Sequence, residues 1–176
     1  MTVAHKFLGP GAVGPFSGVA WPAPDGHRPG AWVEAPGPLV PCGGGIHACR
    51  PEALPFWLDE ELWAVELDES QLAEDDGLLV SGRGRLLRRI GAWDGEAMRA
   101  FARDCAERAR KGAAGTSAEP YANDALRHAA GAGTAQRAAV TGYIAARAAG
   151  EARPGGWAAK RAQQARWLVE RLGLDA

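Results

Sequence analysis

Leu86-Leu87-Arg88-Arg89-Ile90-Gly91-Ala92-Trp93-Asp94-Gly95-Glu96-Ala97-Met98 is the stretch in which this chain changes texture. Up to Ile90 the apolar residues come in short extended runs. Beyond Asp94 they recur at steps of three and four, as one face of a helix requires. Asp94 is a helix cap by position, since its carboxylate can accept from the first free backbone N–H groups. From Asp94 to Lys111, the residues Ala97, Met98, Phe101, Ala102, Cys105 and Ala109 form the apolar stripe of an amphipathic helix, which Gly112 and Gly115 end.

Downstream the pattern predicts three more helices, near 119–130, 134–149 and 157–172, separated by Gly131-Ala132-Gly133 and by the segment from Gly150 to Gly156. The first two are so rich in alanine that their backbones can approach closely. In the last, Trp157, Ala158, Arg161, Ala165, Leu168, Val169 and Leu172 trace a seam.

Upstream, Leu62 to Leu67 alternates as a strand, with Leu62, Ala64 and Glu66 on one face and Trp63, Val65 and Leu67 on the other. Leu78-Leu79-Val80 and 86–90 are further strands, and Pro51 to Leu58 is a short helix. Residues 1–51 are punctuated by glycine and by prolines such as Pro10, Pro15, Pro22, Pro29 and Pro36, which predicts short strands in rigid irregular loops. The expected fold is α+β, a single domain over residues 1–176. A small mixed or antiparallel sheet in 1–93 packs against an Ala-rich helical cluster in 94–176.

The totals exclude several function classes. A chain of 176 residues can bury a core without a metal or disulfide staple. Twenty basic and twenty-one acidic side chains leave a net charge of -1, so bulk charge points to neither nucleic acid nor an anionic membrane. The charge is unevenly placed: residues 52–76 hold ten acidic side chains and no basic one, and residues 83–111 hold nine basic against four acidic. These segments either face one another or offer surfaces to a partner. Three cysteines cannot all pair, no stretch approaches the roughly 18 apolar residues of a membrane span, and the first residues lack the pattern of an export signal. A cytoplasmic protein with reduced thiols is expected.

The unusual residues cluster in Pro41-Cys42-Gly43-Gly44-Gly45-Ile46-His47-Ala48-Cys49-Arg50. Three consecutive glycines permit a sharp turn, and backbone N–H groups of residues 43–45 offer an anion-binding nest. Cys42, His47, Cys49 and a distant Cys105 are candidate zinc ligands, although Cys-x6-Cys is wider than the usual paired knuckle. In an extended segment His47 and Cys49 share a face, so imidazole activation of a thiolate is a second reading. As a ligand site the turn draws in Cys42, Gly43, Gly44, Gly45, His47, Trp57, Arg83 and Arg85. The glycines do not form a P-loop, because the Gly-Lys-[Ser/Thr] ending is absent.

Cys42 to Cys49 resembles the Cys-x-x-Gly-[Ile/Phe]-His-Ala-Cys signature of uncharacterised bacterial and phage-associated proteins, in which a short helical turn, a strand and Ala-rich helices follow. That resemblance implies no mechanism. A second similarity, to ADP-ribosyltransferase-like folds, implies NAD as cofactor, with His47 as the cleft residue and Glu66 as the acid; His47, Cys49 and Glu66 are therefore the catalytic candidates. The favoured expectation is a binding or accessory protein that uses the Cys/His/Gly turn for a small molecule or a protein partner. The alternatives are the NAD-using enzyme and a zinc-binding interaction domain.

Overall fold

The strand periodicity of the first half produces one antiparallel sheet. Its strands are β1 (Thr2–Leu8), β2 (Val33–Glu34), β3 (Ile46–Cys49), β4 (Glu61–Leu67), β5 (Leu72–Asp75), β6 (Leu78–Ser81) and β7 (Arg83–Arg89), in the order β2-β7-β4-β1-β3-β6-β5. The computed structural model describes residues 1–35 and 37–174, so Pro36, one of the prolines expected to stiffen the loops, lies outside the described residues. The chain forms two compact units, Met1–Gly91 and Ala92–Ala176, divided beside the change of texture at Trp93. The sheet belongs to the first and the helices to the second.

Only short strands were expected in residues 1–51, yet β1 runs for seven residues and is a central strand, paired with both β4 and β3. Its seven residues contain neither glycine nor proline, and Gly9 ends it. Between β5 and β6, Asp76 and Gly77 adopt φ of 45° and 76°, the left-handed pair that a two-residue hairpin turn needs. Only Gly82 separates β6 from β7. Residues 78–89 are therefore one bent strand that pairs with β3 and β5 through its first half and with β4 and β2 through its second. Such pairing requires the sheet to curl back on itself in the manner of a partly closed barrel.

The alternation read along β4 holds. Trp63, Val65 and Leu67 join Ala4, Leu8, Ile46, Ala48, Leu79 and Leu86 in one core, which the loop residues Ala12 and Trp21 help to close. The turn at Gly11 and Ala12 is clamped by the buried Glu61, whose two carboxylate oxygens accept from the Gly11 and Ala12 N–H groups and from Trp63 Nε1, each at 3.1 Å. Glu61 is thus a folding residue.

The second unit contains α1 (Gly95–Ala113), α2 (Glu119–Ala130), α3 (Ala135–Ala152) and α4 (Gly156–Leu172). Asp94 caps α1 as expected, accepting from the N–H groups of Glu96 and Ala97 at 2.9 Å. Gly112 does not stop α1, which continues to Ala113. α3 packs on the other three helices, whereas α1 and α4 meet much less. At one level Phe101 fills the interior, edge-on to Trp93 and Trp167 with ring centroids 6.3 and 5.4 Å away. At the next level alanine and glycine take over.

The inward face of α4 departs from the seam read off its sequence. Ala158 is exposed and Val169 half-buried, while Lys160 and Gln164 are buried. Gln164 bonds to the Gly142 carbonyl at 2.8 Å and accepts from Arg161 Nη1 at 3.0 Å. Apolar periodicity has no means of placing inward a polar residue that finds its partner on another helix.

Candidate functional site

The turn at 40–47 is organised from within. The Val40 carbonyl accepts from the N–H groups of both Gly43 and Gly44, at 2.9 and 3.0 Å. A side chain at Gly45 would sit at φ 109° and 2.5 Å from Val80 Cγ1, so glycine is required there for the chain to enter β3. Cys42 is held at φ 59° by its N–H, which donates to His47 Nε2 at 3.1 Å. Because Nε2 accepts, the imidazole proton lies on Nδ1, which donates to the Gly45 carbonyl at 3.1 Å.

These contacts decide what the turn can do. Two of the three N–H groups proposed as an anion nest are already engaged, and both nitrogens of His47 are occupied by backbone. Cys49 is buried opposite His5 in the β1–β3 pairing, and burial pushes its thiol up to about 12, which keeps it neutral. Cys105 lies in α1, in the helical unit, and burial likewise raises its thiol to about 12. Cys42 is exposed. Among the described residues no group of three or more His, Cys, Asp or Glu is placed to hold a metal ion.

The structure also keeps His47 and Glu66 apart. They occupy strands separated by β1, and the registers place them about four residues apart along the sheet, a distance of roughly 16 Å from standard strand dimensions. Glu66 is paired with Arg85 at 2.5 Å, and Asp68 with Arg83 at 2.7 Å. Both guanidinium groups lie over Trp32, 4.8 Å from its centroid for Arg83 and 4.6 Å for Arg85. Both arginines thus have protein partners of their own. Trp57 is half-buried after the 3-10 turn Pro51–Phe56, where its N–H donates to the Leu54 carbonyl at 3.0 Å.

His47→Ala should therefore loosen the turn rather than remove a reactive group. Water can replace the imidazole at these accessible positions, so the cost is about 1 kcal/mol. Hydrogen exchange at the Cys42 amide is expected to accelerate about fivefold, the equivalent of that energy at an RT of about 0.59 kcal/mol. Unchanged exchange would show that the imidazole does not hold the turn.

A cavity of about 500 Å³ lies in the helical unit, where α1 and α4 diverge over α3. Its floor is made of small residues, among them Ala109, Gly112, Ala145, Ala148 and Gly156. Arg108, Arg153, Lys160 and Arg166 line it, and no acidic residue does. Arg108 is paired with Asp104 at 2.8 Å. The side chains of Arg153, Lys160 and Arg166 make no hydrogen bond or ion pair among the described residues. Lys160 is only 7% exposed, and burial lowers its pKa below the ordinary lysine value, with Cys105 and Asp104 opposing and Arg108 adding a smaller push in the same direction.

None of the four cationic residues of the cavity stands out in the sequence. The available signals were the Ala/Gly spacing on α1 and α3 and a Lys-Arg pair inside the α4 seam. Comparisons with protein-family models, with curated proteins and with solved structures find no match. No helix among the described residues is long and apolar enough to cross a membrane.

Proposed function

We propose that this protein is a binding protein for a small anionic molecule, received in the cavity between α1, α3 and α4. The observation that supports this most is the convergence on one cavity of three cationic side chains that have no hydrogen-bond or ion-pair partner among the described residues. Like charges brought together at the edge of a low-dielectric site repel one another, and a bound anion reverses the sign of that interaction. The cavity volume is within the range of small-molecule sites. The charge distribution agrees: residues 92–176 carry thirteen basic and nine acidic side chains, and residues 1–91 carry seven and twelve. In this reading the Cys42–Cys49 signature shapes the sheet unit, and the ligand is taken elsewhere.

Titration calorimetry with pyrophosphate, at constant ionic strength, tests the reading. The wild-type chain is expected to bind it in the micromolar to low millimolar range. Arg153→Ala combined with Arg166→Ala is expected to weaken binding at least tenfold without unfolding, because both side chains are exposed. Binding absent from the wild type, or equal in the double variant, would defeat the proposal.

A further inference from the structure

Resting on that anion site, we propose that Lys160 forms an imine with the carbonyl carbon of an aldehyde- or ketone-bearing phosphate ester, whose phosphate is held by Arg153 and Arg166. The chain contains three lysines, Lys6, Lys111 and Lys160, in three different environments. Lys6 Nζ donates to the His47 carbonyl at 2.6 Å and lies 5.3 Å from the centroid of Trp21. Lys111 is exposed in the last turn of α1. Burial lowers Lys6 to about 8 as well, but the His47 carbonyl engages its Nζ; Lys160 is buried, opens on a cavity, and has no hydrogen-bond or ion-pair partner among the described residues.

A desolvated lysine is the arrangement that makes an amine nucleophilic, since burial favours the neutral form. Here burial is the largest influence on Lys160; Cys105 and Asp104 on α1 oppose it, and Arg108 acts with it more weakly than either. Alanine and glycine around Lys160 leave room for the substituents of a carbonyl carbon.

The step balances without a redox partner. The neutral Nζ attacks the carbonyl carbon, a C–N bond forms, and the π pair moves to oxygen, which takes a proton. Loss of that hydroxyl as water, with the nitrogen lone pair closing the C=N bond, leaves the imine. One amine and one carbonyl become one imine and one water, and the phosphate ester is unchanged.

The full chain, treated with glyceraldehyde 3-phosphate and a hydride reductant and then mapped by peptide mass spectrometry, gives the test. Lys160 is expected to carry the adduct at least ten times faster than the exposed Lys111, and unphosphorylated glyceraldehyde is expected to label it at least ten times more slowly. Lys160→Arg should abolish that adduct while pyrophosphate still binds. If Lys160 reacts no faster than Lys111, the imine proposal is overturned. In that event, retained pyrophosphate binding leaves the anion site standing, and its absence removes both.

Discussion

Glu61→Ala is expected to cost about 3–5 kcal/mol of stability, seen as a large fall in the urea midpoint with little change in slope. The carboxylate is buried and accepts from three donors, the Gly11 and Ala12 N–H groups and Trp63 Nε1, with Arg89 Nη2 at 3.7 Å. Truncation leaves those donors behind. The Gly11 N–H is near the surface and can turn to water, whereas Ala12 and Trp63 are 4% and 8% exposed and have no such recourse. Ala12 also sits at φ 57°, a conformation unfavourable for a residue with a Cβ and held by these same bonds. Glu61→Gln keeps one acceptor oxygen and turns an NH₂ toward donors, so it is expected to cost about 1–3 kcal/mol. A loss below about 1 kcal/mol for the alanine variant would mean that the carboxylate does not hold the turn.

The second large effect is expected at Gly156, the first residue of α4. A Cβ there would lie 1.9 Å from the Ala149 carbonyl oxygen and 2.5 Å from its carbon, so α3 or α4 must shift. The preceding Gly155, at φ 71°, turns the chain back so tightly that the Gly156 N–H bonds to the Arg153 carbonyl at 3.1 Å. Gly156→Ala should therefore cost about 3 kcal/mol or more, against the fraction of a kcal/mol that helix propensity alone would return. Because Ala149, Arg153 and Gly156 all line the cavity, pyrophosphate binding should weaken together with stability. Gly112→Ala is the matched control: it lies in α1, a Cβ there meets nothing within 4 Å, and stability should rise by about 0.5–1 kcal/mol. Equal thermal midpoints for the two variants would contradict the close approach at the α3–α4 turn.

The two units show different degrees of legibility. Helix positions followed from spacing and punctuation, because an Asp cap, glycine-rich breaks and apolar residues at three and four are local instructions. The alternation along β4 was legible for the same reason. β1 was hidden by the composition of the region around it, although Thr2 to Leu8 contains no breaker. The pairing order of the strands depends on contacts between distant segments, and the bend at Gly82 that allows it has no periodic signature.

The turn that the sequence marks and the cavity proposed as the anion site differ for a physical reason. Cys42, His47 and Cys49 are reactive or ligating residue types, and their density on paper looks like chemistry. In the fold, backbone groups of the turn occupy both imidazole nitrogens, and burial keeps Cys49 protonated. Lys160 and Arg166 are among the commonest occupants of a helix surface and drew no notice. The amino-acid order alone determined the α+β composition, the place where strands give way to helices, and the need for glycine around residue 45. Only the tertiary structure decided which polar groups keep a free valence. That property depends on which backbone and side-chain partners arrive from elsewhere in the chain: among the described residues His47 finds hydrogen-bond partners and Lys160 does not.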